Sequence, residues 1–393
     1  MYSFHFSDGM NKKVLIWLPV VIFYNHFLHF YLVQYWCYWP DLSIHDEDFI
    51  SKDESFGYFK TPGVNSDVAA KPLKLLVFSD PHLLGPNVVF LDKLWHEYHM
   101  GISYSAGKFL SKPDQILILG DILDWGMFLQ PGDEFNNQIN HFHNLFPGAI
   151  AIPGNHDVAF PIHTNWYRIQ RINEAFGRIG FAEILALGQN FAVVNSIGMS
   201  GDGSDISKRA DYHVSQVGKF LKEGADKEFS LKNGSFNENQ PRPILAQHFP
   251  LWREDDTVCN SRVSDAANKK DRFYRNVPAR EAVPIKKSEE IIEKLKPRFI
   301  ISGHTHNWCL RKFNDIWEVS VASFSWRNRN NPSYLLFSIG DHGLAYQKCF
   351  VPRMSTIVLI YIFAISVIFI KFFNLKFFKS KLKVNYRVGA RFF

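Results

Sequence analysis

The chain has 393 residues, 46% of them hydrophobic, and a formal net charge of +6. That length suits one large folded domain with appendages. Seven Lys or Arg lie between Lys371 and the C-terminus with no acid among them, while the centre mixes both signs. No basic stripe with interleaved aromatics is present, so nucleic acid is excluded as a partner.

Two stretches are free of charge for long enough to cross a bilayer. Residues 14–39 hold no Asp, Glu, Lys or Arg and end in Tyr35, Trp36, Tyr38 and Trp39, an interfacial belt. A secretory leader is the alternative, but the run is too long for its apolar region and no small-residue cleavage site follows. Asn25, His26, His29 and Gln34 inside it read as helix–helix contacts. The second stretch, 354–375, ends near Lys371, whose side chain can snorkel. Lys12 and Lys13 precede the first stretch, acids follow it, and a basic tail follows the second. Positive flanks stay in the cytosol, so 1–13 and 376–393 are expected there, with everything between the spans in a lumen or outside. Cysteines are few, at 37, 259, 349 and 309; Cys259 with Cys309 is one of the pairings open. Asn233-Gly234-Ser235 is the single glycosylation sequon, in the polar loop 227–243.

Residues 40–71, acidic and rich in Ser, Gly and Pro, read as a luminal linker to a domain over 72–350. Apolar runs bounded by turn residues predict strands at 75–79, 116–119, 149–153, 191–195, 244–246 and 299–301, then 317–321, 334–339 and 344–348. Helical spacing predicts helices over 87–110, 134–146, 164–176, 207–223 and 288–295, the last capped by Ser288. A parallel half followed by an antiparallel half suggests two packed sheets with helices outside, an α/β architecture. The charged stretch 253–288 is read as a lid or a disordered insertion.

Five polar blocks follow five of those strands: Asp80-Pro81-His82, Gly120-Asp121-Ile122-Leu123-Asp124, Gly154-Asn155-His156-Asp157, Gln247-His248 and Gly303-His304-Thr305-His306. Any one alone is more often a turn than a site; together, ordered and strand-terminal, they can hold two metal ions. Asp80 and His82, on alternating strand positions, hold one ion together. Asp121 can place one oxygen on each ion, Asn155 offers a carbonyl, His248 and His304 offer imidazoles, and His306 turns back to the first ion. Two cations about 3.5–4 Å apart acidify water and neutralise phosphoryl oxygens, the two needs of phosphate ester hydrolysis. Mixed N and O ligands suit Mn²⁺, Fe or Zn²⁺, and the lack of thiolates argues against a structural zinc site. His96, His99, His141, His143 and His213 are read as ordinary helix or surface residues.

The blocks resemble the five signature motifs of the calcineurin-like metallophosphoesterase superfamily, from Asp80 to His306. The resemblance implies the ligand roles above, His156 as an uncoordinated acid with Asp157 orienting it, and a double β-sheet sandwich flanked by helices. Leu83-Leu84-Gly85, His248-Phe249-Pro250-Leu251, the segment Ser323-Phe324-Ser325-Trp326-Arg327-Asn328-Arg329-Asn330-Asn331-Pro332 and the two-span layout are similar, more narrowly, to the metallophosphoesterase 1 family. That likeness implies a manganese-linked phosphodiesterase of the early secretory pathway (ER exit sites, ER–Golgi intermediate, Golgi). It would remove a side-branch ethanolamine phosphate from the glycan of GPI-anchored proteins, with His156 protonating the departing sugar oxygen. The implied partners are those glycans, the lipid bilayer, and cargo receptors or coat machinery at the cytosolic tail. Arg327 and Arg329 are candidates for holding glycan or phosphate; a tight hydrogen-bonded loop is the other reading of their segment. Trp125 stands where relatives carry an acid, no dilysine signal ends the tail, and Phe392-Phe393 resembles an export signal. Competing readings are a protein or small-molecule phosphatase of the same superfamily, against which Trp125 and Asp157 count, and a non-catalytic cargo-sorting adaptor, against which the presence of His156 counts.

Overall fold

The computed structural model describes residues 17–43, 45, 47–61, 71–178, 180–223 and 242–370. The expected cytosolic ends 1–13 and 376–393, the sequon at Asn233 and most of the polar loop 227–243 lie outside the described residues.

The apolar runs form two stacked sheets. Seven strands make the first, in the order Phe49–Ile50, Phe56–Lys60, Gly343–Phe350, Ser333–Ile339, Leu73–Phe78, Gln115–Leu119, Ile150–Ile152. The second has six: Cys309–Phe313, Ile316–Ser320, Phe299–Ser302, Ile244–Gln247, Asn190–Val194, Ala182–Ala186. Strand alternation divides the side chains between two cores. Leu75 and Val77 pack with Phe191, Ile244 and Ile301 between the sheets. Leu76 and Phe78 point the other way, to Tyr104 and Phe142 of the outer helices Phe90–Ser111 and Asp133–Leu145. Helices Asp205–Glu223 and Ile285–Leu295 lie together, and the former also packs on strand Ala182–Ala186 of the second sheet.

Several expectations are corrected. The parallel and antiparallel halves do not form separate sheets. Leu73–Phe78, Gln115–Leu119 and Ile150–Ile152 are parallel neighbours, but Ser333–Ile339 returns antiparallel to Leu73–Phe78 in that same sheet. The expected linker 40–71 contains two strands, because Phe56–Lys60 pairs along Gly343–Phe350 and buries Tyr58 and Phe59. Ser288 does not cap a helix; Pro284 precedes the first turn, and the Ser288 hydroxyl accepts from Trp252 N and donates to Val283 O. The stretch 253–288 is not a disordered insertion among the described residues, and its Arg280 carbonyl lies 2.7 Å from His304 Nε2. Cys259 is bonded to Cys309, buried Asp265 pairs with Lys348 at 2.8 Å, and Arg253 donates to Asp256 and Ser320. His99 is buried against Phe30 and Trp326 rather than at the surface.

Residues 17–34 and 354–370 are helical, with a π-type turn over Tyr24–Leu28. No helix among the described residues is long and apolar enough to cross a membrane, so the spans 14–39 and 354–375 stay proposals. One side of the first helix is docked on the domain. Phe30 and Gln34 are buried, Gln34 accepts from Tyr334 Oη, and Cys37 is joined to Cys349. Asn25 donates to Ile357 O of the second helix, the helix–helix contact expected of these polar residues.

Candidate metal centre

The five blocks meet where the parallel strands end. Asp80 follows Leu73–Phe78, Asp121 follows Gln115–Leu119, Asn155 follows Ile150–Ile152, His248 follows Ile244–Gln247, and His304 and His306 follow Phe299–Ser302. Candidate ligand atoms of Asp80, His82, Asp121 and His306 form one cluster, those of Asp121, His248 and His304 another, and those of His82, Asp124 and His156 a third at the edge of the first; within each they lie within 4.8 Å of one another. Asp121 belongs to the first two. Asn155 Oδ1 lies 3.1 Å from His248 Nε2 and joins the second cluster.

Asp80 and His82 reach their cluster by a different route from strand alternation. Both stand beyond the strand end with φ of 50° and 49°, and Asp121, His304 and His306 are left-handed too, at 46°, 72° and 57°. Such backbone costs a residue with a Cβ about 1–3 kcal/mol and persists where the surroundings over-determine it. The neighbouring glycines are required by close approach. A Cβ on Gly154 would lie 2.2 Å from Asp121 Oδ1, and one on Gly303 would lie 2.1 Å from Ser79 Oγ.

The chemistry of these donors fits divalent cations. His248 Nδ1 donates to Leu119 O at 2.7 Å, which turns Nε2 towards Asn155 Oδ1 and Asp121 Oδ1, the latter at 3.2 Å; once Nε2 loses its proton, its lone pair faces the same point. His82 Nδ1 faces Asp124 Oδ1 at 3.2 Å, so its Nε2 confronts His306 Nε2 at 2.9 Å and Asp121 Oδ2 at 3.5 Å. His304 Nε2 donates to Arg280 O at 2.7 Å, and its Nδ1 is buried with no hydrogen-bond partner. Converging lone pairs with few protons to share want positive charge between them.

Titration follows from the same packing. Burial, together with the His82 charge, holds His306 down at about 3, and burial with the His248 charge holds His304 well below its ordinary value. Burial also lowers His248, but the Asp121 carboxylate more than reverses this, to about 9. Burial raises Asp80 to about 6, against the pull of His248. His248 must shed its proton to become a ligand, so metal affinity is expected to rise with pH up to about 9. His82, which burial lowers but the Asp124 hydrogen bond and the Asp121 charge raise above its ordinary value, must shed its proton too, so binding at neutral pH should release protons from both histidines, measured by calorimetry in buffers of different ionisation enthalpy. The sign for folding is opposite. A histidine raised above its unfolded value stabilises the metal-free chain fully below about 6.5 and ceases to as pH rises through about 9.

His156 stands beside the first cluster. Its ring meets that of His82 edge-on at 4.6 Å, its backbone N donates to Asp121 Oδ1 at 2.8 Å, and 32% of its side chain is exposed. Its Nδ1 donates to Asp124 O at 2.7 Å, leaving Nε2 as the free nitrogen of a half-exposed ring.

Asp157 does not orient it, a correction to the expected dyad. The Asp157 carboxylate is fully buried and accepts from Ile122 N, Leu123 N and Gly154 N at 3.2, 2.9 and 2.8 Å. It latches the second block to the third. Asp157→Ala should therefore strip three buried N–H groups of their partner and cost roughly 3 kcal/mol or more, read as a lowered melting temperature. The pH profile of any residual activity should keep its shape.

Asp124 is the residue that sequence reasoning left without a role. Besides holding His156 by its carbonyl, it faces His82 with one carboxylate oxygen and pairs with Arg327 Nη1 at 2.8 Å with the other. Burial pushes its pKa up, and His82, Arg327 and His156 more than offset this, keeping it below the ordinary carboxylate value. The two arginines separate. Arg327, with 40% of its side chain exposed, lies at the rim; Arg329 is mostly buried and donates to His306 O at 3.0 Å, so it braces a ligand loop.

Comparison with known sequences agrees. The profile of the family described as calcineurin-like phosphoesterase matches residues 73–308. The chain is 33% identical over 363 residues to metallophosphoesterase 1 of Gallus gallus, covering 89% of this chain and 86% of that one. To metallophosphoesterase 1 of Mus musculus it is 32% identical over 366 residues, covering 89% and 85%. Among solved structures, a purple acid phosphatase from yellow lupin (Lupinus luteus) seeds matches with a TM-score of 0.43 and 12% identity, over 76% of this chain and 56% of that one. With its blocks gathered into two clusters around Asp121, the chain belongs to the calcineurin-like phosphoesterases, in the metallophosphoesterase 1 family, and is a metal-dependent phosphoester hydrolase.

Proposed function

We propose that this chain is a membrane-anchored phosphodiesterase that removes a side-branch ethanolamine phosphate from the glycan of GPI-anchored proteins, supporting their transport from ER to Golgi. The observation that carries the reading is the placement of the segment 323–332. Its first half holds the metal centre: Ser323 Oγ donates to Asp80 O at 2.8 Å, and Arg327 pairs with Asp124. Trp326 packs with Phe30 and Ile357 of the two apolar helices and donates to Pro352 O. Asn330 Oδ1 accepts from Ser355 N at the start of the second helix. One loop thus joins the site to both apolar helices, and a site held beside a bilayer suits a substrate tethered to one.

Two bound divalent ions, manganese in this reading, would supply charge at the phosphoryl oxygens and an acidified water. Asp80, His82, Asp121 and His306 would hold one ion, and Asp121, Asn155, His248 and His304 the other. The remaining work falls to the chain. His156 Nε2, its ring fixed through Nδ1, protonates the departing sugar oxygen, and the rim guanidinium of Arg327 attracts the phosphate. Two disulfides support an oxidising lumen of the early secretory pathway, with the basic tail left for cargo receptors or coat machinery. Mass analysis of GPI anchors from cells with and without the protein tests the reading. Retained ethanolamine phosphate is expected without it; an unchanged pattern refutes the assignment.

A further inference from the structure

Helix Phe90–Ser111 begins a few residues after His82 and runs beside the first apolar helix in the same direction. Trp39 Nε1 donates to Ser111 O, Tyr31 and Phe109 rings lie 6.3 Å apart, and Tyr98 Oη donates to His26 O. The His26 ring also meets Trp95 and, on the second apolar helix, Tyr361. All three helices are therefore side by side at the level of His26. From Tyr98 the helix continues towards its N-terminus for eight residues, about 12 Å at 1.5 Å per residue, along the same side as the outgoing parts of the other two.

That end is not dressed for water. Val89, Phe90 and Leu91 are 71%, 72% and 71% exposed, and Leu94 is 49% exposed. Phe90, Leu91, Leu94 and Tyr98 share one face at helical spacing, while Asp92 and Lys93 pair within the helix with His96 and Glu97 on another. The stripe continues the exposed apolar sides of the terminal helices, such as Phe23 at 57% and Phe363 at 70%. Isolated exposed apolar residues need no explanation; a contiguous stripe beside the exposed apolar sides of the two terminal helices does.

We infer that the N-terminal end of helix Phe90–Ser111 inserts into the lipid bilayer as a third, non-spanning membrane element beside the two terminal helices. The inference rests on the membrane anchoring proposed above. The occupant is phospholipid, because the stripe is flush with the helices that would cross it and carries its charged pairs on the other side. Since the helix follows the first metal-binding block directly and Leu84 N donates to its Glu97, insertion fixes the depth of the catalytic mouth.

All four native cysteines are in disulfides, so a single introduced cysteine can carry a fluorescent probe. The full-length protein is reconstituted in phosphatidylcholine vesicles containing brominated lipid, with probes at Leu91→Cys, Leu94→Cys, Phe363→Cys and Tyr212→Cys. Tyr212 is 61% exposed on helix Asp205–Glu223 and serves as the reference off the membrane. The expected result is quenching at 91, 94 and 363 and none at 212. Quenching at 363 with none at 91 or 94 overturns the inserted helix and leaves the anchoring intact. No quenching at any position overturns both, and quenching at 212 as well overturns the inference by showing adsorption without orientation. A second measurement separates insertion from folding. Replacing Phe90 and Leu91 by Glu should leave turnover of a soluble phosphodiester unchanged and lower turnover of a vesicle-tethered one; an equal loss on both overturns the proposal.

Discussion

Asp121→Ala is expected to empty both halves of the metal centre at once. Asp121 alone belongs to both the first and the second ligand cluster, with Oδ1 3.2 Å from His248 Nε2 and Oδ2 3.5 Å from His82 Nε2. Coulomb attraction to buried His248 and to His82 more than offsets burial, so the carboxyl stays ionised well below its ordinary value. Its loss removes the one anionic ligand common to two sites, and the several kcal/mol of charge stabilisation they supply to a phosphoryl group. That corresponds to at least about 10³-fold in turnover at 1.36 kcal/mol per decade. Elemental analysis of the purified protein should find both ions lost. A variant that keeps one ion at full occupancy would show that the clusters are independent.

Much of this centre was legible in the sequence, because strand ends and scarce residue types announce themselves together. Asp80, His82, Asp121, Asn155, His248, His304 and His306 all arrive at one place because each follows an apolar run that becomes a strand of one of two stacked sheets. What the sequence hid depends on direction and on distance along the chain. The family resemblance assigned Asp157 to orient its neighbour His156. Both lie in the helical turn Asn155–Val158, where successive side chains diverge, so Asp157 faces the protein interior and His156 the cleft. Asp124 acts on His156 through its carbonyl, which every residue possesses and no motif records. Strand Phe56–Lys60 sat unrecognised in a polar stretch because its partner, Gly343–Phe350, is almost 290 residues away. The docking of the first apolar helix through Gln34 and Cys37 has the same cause, since both partners, Tyr334 and Cys349, come from the end of the domain.

His156→Ala and His304→Ala should fail in different ways, and the difference tests whether the centre divides into ligands and an acid. His304 offers a buried Nδ1 with no protein partner, while its Nε2 is committed to Arg280 O. Removing it should cost metal first and activity as a consequence, with partial recovery of turnover at high metal concentration. His156 lies outside both clusters built on Asp121, and its Nδ1 is spent on Asp124 O. Removing it should leave metal content unchanged and lower turnover by about 10²–10⁴-fold, the usual worth of a positioned proton donor. The loss should shrink for a substrate whose leaving group needs no proton, such as a nitrophenolate, because a donor matters only when the departing oxygen is basic. Equal loss of metal in the two variants would sink the division of roles. An unchanged leaving-group dependence in His156→Ala would mean that the histidine positions substrate rather than protonates it.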